Sequence, residues 1–550
     1  MTTPIFALAD EYIRTRAEVD PAFGHMVGIE GDYGVATDYS PDGIAARHEH
    51  QVSFLRRLEA MEPTGSDDEL AKLHMRERLE ASTQLHETGD WKRILRVPYG
   101  LIQNMCTYVD LAPRKSEDDW AHLLERIKAI PGTVSGMRAT LEVGRADGTT
   151  VARLQVLKGA EQARLNANKR VFDQHAEAYG DGPLRPELER AAQEAYAAFE
   201  ELANYLQREY APDAREADGV GADLYKAHAR QMLGADLDPQ EAYEWGWAEL
   251  YRIEEEMATE ASKILPGKSL DEVIAHLDST NLIDTPEEYL AWLTAEHQWA
   301  LDELNGVHFD IDERLMSVDV QLVHGSSAGS PYYTGPSEDL SRKGRTWWPV
   351  GPREKFAKWG EYTTVYHEGV PGHHLQIGQT KVVGDKLSRF AKSSGSLSGY
   401  GEGWALYAER LADELGWFER AEGARLGQLK ASAMRAARVV IDIGTHLDLP
   451  LPAQEAKRHG AKWNFDVALD VLQQRGRIAG HRAEAEIVRY FGWPSQAICY
   501  KMGERAWLAA REDAKSRDGA SFNLKDWHTK ALNLGPIGLD NLRRILKERA

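Results

Sequence analysis

"YHEGVPGHHLQ", Tyr366 to Gln376, begins a zinc-site pattern and then departs from it. His367 and Glu368 open H-E-x-x-H, but Pro371 stands where the second histidine belongs, and His373 and His374 follow side by side. In the unbroken pattern, histidines four apart share one helix face about 6 Å apart along the axis, close enough to hold one ion. On a regular helix His374 would lie nearly under His367 but about 10.5 Å away, and His373 about 9 Å away and about 120° round. Neither spacing works without a distortion. Pro371 removes a backbone donor and Gly372 permits unusual dihedrals, so the distortion is expected at residues 370–372. A bulge absorbing two residues would make a spacing of six act as four. That favours His373 as second ligand and leaves His374 for a neighbouring substrate pocket or for supporting the ligands from behind. In the alternative, Pro-Gly ends one helix and the histidines are loop residues.

Catalytic zinc commonly takes three protein ligands and keeps one position for water. Downstream, "SGYGEGWALYAERLADELG" opens with glycines and becomes an amphipathic helix. Glu402 at its start is the candidate third ligand, with small neighbours that allow close approach. Glu409, two turns further on the same face, is placed to orient a ligand.

Most of the first 310 residues reads as helix, as in "RPELERAAQEAYAAFEELANYLQREY", with apolar residues at three- and four-residue steps. "DPQE" at Asp238, "SLDE" at Ser269 and "TPEE" at Thr285 each supply a cap and a third-position carboxylate for a helix start. Near residue 307 the pattern changes. "VHFDIDERLMSVDVQLVH" alternates most clearly at Val318, Val320 and Leu322, predicting one or two strands. "GSSAGSPYYTGPSEDLSRKGRTWWP" reads as an ordered loop, and helix returns from about 353. The expectation is one continuous unit over 1–550, with a mostly helical half at 1–306. The half at 307–550 carries a small sheet beside the histidine motif.

The chain has 550 residues, 42% apolar and 28% charged, an ordinary globular composition. Mean hydropathy is -0.51, and no apolar run approaches the 18 residues of a membrane span. A net charge of -21 disfavours phosphate backbones and anionic lipid, so neither nucleic acid nor membrane is expected as a partner. Cys106 and Cys499 make no disulfide framework, and the N-terminus lacks a secretory pattern, so a cytoplasmic location is expected. Oligomeric state has no signature here.

"HEGVPGHHLQ" together with "GEGWALYAE" resembles the bacterial domain-of-unknown-function 885 family, grouped with the gluzincin metallopeptidases. "GADLYKAHARQMLGADLDPQEAYEWGWAEL", "YYTGPSEDLSRKGRTWW", "RVVIDIGTHL" and "RYFGWPSQAICYKMG" extend the resemblance over about residues 220–510. It implies a mainly α, large helical bowl or cleft of metallopeptidase type with a small sheet beside the active-site helix. It also implies one Zn2+ held by His367, His373 and Glu402. Glu368 would be the base activating water against an amide, most readily in a short peptide. Tyr490, Tyr500 and His446 are candidate catalytic donors. Arg489, Lys501, His374, Tyr332, Tyr333 and Arg342 are candidates for substrate binding, with the strand near "SVDVQLVH" as an edge for an extended peptide.

Three other readings compete. A non-catalytic protein of the same fold would bind peptide or metal without a base, and a hydrolase could act on a non-peptide amide. "GSSAG", Gly325 to Gly329, matches the G-x-S-x-G elbow with Ser327 as nominal nucleophile, but it runs into proline and turn residues where that motif needs a helix.

Overall fold

In a computed structural model, residues 3–29, 34–324, 330–351, 353–478 and 480–548 are described. Ser327 and the rest of Gly325–Gly329 lie outside them. Among the described residues the fold is mainly helical with two small sheets. It divides into two compact units. The first comprises residues 1–227, 445–448 and 484–494, and the second 228–444, 449–483 and 495–550. The helices between residues 228 and 306 therefore belong to the unit with the histidine motif, not to the N-terminal one.

In the first unit, Thr3, Asp20 and Ser40 each cap a helix whose first residue is proline. The missing proline N–H costs nothing there, because the first-turn donors have no partner within the helix. Arg185–Tyr205 buries Leu188, Ala191, Ala195, Phe199 and Leu202 at the expected spacing, then passes into a π turn over Leu206–Tyr210. Its stripe packs on a core that includes Leu123, Ile127, Leu141 and Val156.

In the second unit, the three helix starts read from sequence are present. Ser269 and Glu272 form a reciprocal capping box, and Thr285 accepts from the Glu288 backbone. Asp238 caps Pro239–Ile264, but Glu241 is drawn instead into a two-pronged ion pair with Arg505. A charged fork outcompetes one backbone donor.

Strand β1, Leu282–Ile283, pairs antiparallel with the strand Phe356–Ala357. A three-stranded sheet joins β2 (Asp319–Val323), β3 (Tyr332–Thr334) and β4 (Arg345–Pro349) in the order β2-β4-β3. β4 runs parallel to β2, pairing Gln321 with Trp347, and antiparallel to β3, pairing Tyr333 with Thr346. Only 319–323 of the alternating segment is strand. The stretch read as loop supplies the other two strands. In "RTWWP" Thr346 and Trp348 are buried, and Trp348 meets Tyr289 and His297 of the Pro286–Leu304 helix edge to face. Abundant turn residues concealed this short alternation. Among the described residues, no helix is long and apolar enough to cross a membrane.

Candidate metal centre

The helix entering the motif spans Tyr362–Glu368, and a second runs from His373 to Val382. The chain breaks between them instead of bulging within one helix. Gly369 and Gly372 leave helical dihedrals, and the Val370–Pro371 peptide is cis. The turn is held by the Gly372 N–H on the Tyr366 carbonyl at 2.9 Å and by the Trp404 indole N–H on the Pro371 carbonyl at 2.9 Å. Both histidines thus start a new helix, a third outcome beside the bulge and the loop. A Cβ at Gly372 would run into the carbonyl oxygens of His367 and Tyr366. Gly372→Ala is therefore expected to cost about 3 kcal/mol or more, seen as a lowered urea midpoint. An unchanged midpoint would show that the turn can relax.

The break brings His367, His373 and Glu402 together, with one ligand atom from each lying within 4.8 Å of the others. Glu402 Oε2 stands 3.4 Å from His367 Nε2 and 3.7 Å from His373 Nε2. Donors bound at about 2.1 Å in a tetrahedron stand about 3.4 Å apart, so the cluster has the spacing of a metal's ligands. Glu402 Oε2 is buried with only these long contacts to the two imidazoles and no well-formed hydrogen bond, a costly arrangement for a polar atom in a dry protein. Two imidazoles and a carboxylate are also a donor set that suits zinc.

Glu409 accepts from His367 Nδ1 at 2.8 Å. A carboxylate only accepts, so Nδ1 carries the proton and Nε2 is the atom turned toward Glu402. The Thr363 hydroxyl donates to Glu409, and buried Arg435 pairs with it at 3.1 Å. Glu402 and Glu409, seven apart on Ser398–Glu414, thus grip opposite nitrogens of one ring. That helix lies close to Cys499–Asp518, where Gly403 meets the Gly503 backbone with no room for a Cβ.

Burial works against the His367 imidazolium, but Glu402 and Glu409 outweigh it and lift the group to about 9. Burial would raise Glu402, yet the two imidazoles hold it below the ordinary carboxylate range. Burial raises Glu368, against the pull of His367 and His373.

His374 is committed elsewhere. Its Nε2 donates to the Leu315 carbonyl at 2.8 Å, so its Nδ1 is the acceptor for the Tyr333 hydroxyl at 3.0 Å. Burial brings it down to about 4, which keeps it neutral with neither nitrogen available. It is a strut between the sheet and the second helix, not a lining residue.

A cleft of about 1280 Å³ opens on the cluster and is lined by His367, Glu368, His373, Glu402, Tyr332, Tyr333 and Tyr500 among others. Several candidates are not among its lining residues. His446, Arg489 and Tyr490 belong to the first unit. There His446 Nε2 contacts the Tyr490 carbonyl at 3.0 Å, and Glu486 takes both the Tyr490 hydroxyl and Arg489. Lys501 is buried between Glu249 and Glu504, and Arg342 is exposed with a weak contact to the Lys343 carbonyl. Arg435 was the residue sequence reading missed. Its signal was "MRAARVV", where Arg435 and Arg438 stand three apart in an apolar helix.

The chain is similar in structure to a candidate lipoprotein from Colwellia psychrerythraea, at 20% identity and a TM-score of 0.83, over 98% of each chain. It is also similar to a candidate lipoprotein of unknown function from Shewanella oneidensis, at 17% identity and a TM-score of 0.77, over 99% of this chain and 100% of that one. Identities this low speak to the fold alone. No curated protein matches the chain. The family model for bacterial proteins of unknown function DUF885 matches residues 21–546, and the chain belongs to that family.

Proposed function

We propose that this chain is a zinc-dependent hydrolase of the gluzincin type, acting on amide bonds in short peptides. The observation that carries the reading is the trio His367, His373 and Glu402, with ligand-like spacing, at a cleft that also receives Glu368. When bound, zinc would lower the pKa of a water molecule and polarise the amide carbonyl. His367 and His373 would offer Nε2 and Glu402 an Oε2 to the ion, with Glu409 and Arg435 fixing the first ring. Glu368 follows the first ligand directly and faces the cleft. It would take the proton of the attacking water and pass it to the departing amine. Tyr500 lines the same cleft, with the Arg438 guanidinium 4.8 Å from its ring centre. Together they are the candidates to face the oxygen that gains charge as the carbonyl is attacked. Among the described residues β2 and β3 are the outer strands of the sheet, and Val323 of β2 and Tyr332 and Tyr333 of β3 line the cleft, so an extended peptide would have strand backbone to lie against.

The test is calorimetric titration of Zn2+ into metal-stripped protein, paired with peptide hydrolysis followed by mass spectrometry. One ion per chain is expected, and chelation should stop hydrolysis until zinc is restored. Metal-free His367 at about 9 is protonated at pH 7.5, and ligation needs a bare Nε2. Binding should therefore release about one proton from this ring, and affinity should climb about tenfold per pH unit up to about pH 9. Hydrolysis indifferent to chelation, or no stoichiometric binding, would sink the reading. Glu409→Gln is expected to weaken zinc binding about 10–100-fold, because the ring loses its charged orienting partner. Unchanged affinity in that titration would mean Glu409 merely fills space.

A further inference from the structure

The protein carries a net charge of -21, yet its cleft is lined by seven Lys and Arg side chains and only four carboxylates. Two of those four, Glu368 and Glu402, belong to the candidate metal centre. Glu361 is paired with Arg353 at 3.2 Å, and Asp278 accepts from the Trp359 indole at 2.9 Å. On the positive side, Arg435 is taken by Glu409 and Arg477 reaches out to exposed Asp271. Lys430 and Arg482 are different. Among the described residues neither forms an ion pair. The Lys430 ammonium lies 5.2 Å from the Trp359 ring centre, and the Arg482 guanidinium donates to the Ser330 hydroxyl at 2.9 Å. Burial pushes the Lys430 ammonium down, Asp278 opposes this, and the nearby Arg482 and Arg477 charges push it further down. A bound anion would relieve this crowding of like charges.

We propose that Lys430 and Arg482 form a subsite for a substrate carboxylate, so that the cleft selects acidic or free-C-terminal peptides. The proposal rests on the hydrolase reading for its substrate class but concerns recognition, not turnover. A local excess of positive charge in a cleft raises the concentration of anions there, and a guanidinium can grip a carboxylate by two parallel hydrogen bonds. The rest of the surface, being acidic, would turn away the same ligands. Selection therefore arises locally.

The probe is a set of four random pentapeptide pools, carrying glutamate or glutamine at the central position and a free or amidated C-terminus. Retention on zinc-loaded Glu368→Gln protein is read by mass spectrometry. At least one change from carboxylate to amide is expected to lower retention about tenfold or more, the loss of a charged hydrogen bond. Which change does so tells a C-terminal carboxylate from an acidic side chain. Raising the salt should shrink the preference. Lys430→Met with Arg482→Gln should reduce it below about twofold, and Lys430→Glu should reverse it. Equal retention of all four pools, no retention of any, or a preference untouched by the variants would overturn the proposal. Selective retention by a wild-type chain that cleaves nothing would instead defeat only the hydrolase reading.

Discussion

Glu368→Gln is expected to keep its zinc and lower kcat about 10²–10⁴-fold, the range a positioned proton acceptor supplies. Glutamine preserves the shape of the side chain and its place on the cleft wall but cannot take a proton at neutral pH. Glu368 is buried and follows His367 directly, so its location is fixed by the same turn of helix that places the first ligand. Because the carboxylate is not one of the three converging groups, metal stoichiometry should not change. A drop in kcat with KM and zinc content unchanged supports a proton-transfer role. Wild-type turnover in the variant would remove Glu368 as the base. Loss of zinc would move it among the ligands.

The second large effect separates two neighbours. His373→Ala is expected to weaken zinc binding by more than about 100-fold, beyond the loss of an orienting partner, because a donor atom goes. Its side chain is partly exposed to the cleft, so folding should be little altered. His374→Ala should do the reverse. It leaves the Leu315 carbonyl and the Tyr333 hydroxyl without their partner and opens a hole at a fully buried position. A stability loss of about 2–4 kcal/mol is expected, with zinc stoichiometry kept. Titration and urea unfolding of both variants read out the contrast. Zinc lost from His374→Ala and kept by His373→Ala would exchange the two roles.

The parts of the site legible in the sequence are those whose geometry is local. Glu368 beside His367 and Glu409 seven residues after Glu402 are positions on single helices, and a period of 3.6 residues fixes their faces. Some side-chain partners are local too. Glu486 stands four residues before Tyr490, and Glu504 three after Lys501, spacings at which a helix lets side chains meet. Those carboxylates accept from the Tyr490 hydroxyl and the Lys501 ammonium, contacts that helical spacing alone makes available. The fold divides along the same line. The caps at Ser269 and Thr285 involve neighbours three residues apart. β3 and β4 depend on partners farther along the chain, and β4 shows its burial only against Tyr289 and His297.

By itself the sequence determined a mainly helical chain, a disrupted histidine motif and a glutamate-bearing helix able to meet it, because capping, periodicity and the effects of proline and glycine act within a few residues. Only the tertiary structure decided that the disruption is a break between two helices, and that His373 faces Glu402 while His374 is spent on Leu315 and Tyr333. It alone gathered Lys430 and Arg482 around the same cleft as His367, His373 and Glu402. Adjacent residues on a helix point about 100° apart. Which of two neighbouring histidines meets a distant carboxylate is therefore set by the packing of the helices that carry them.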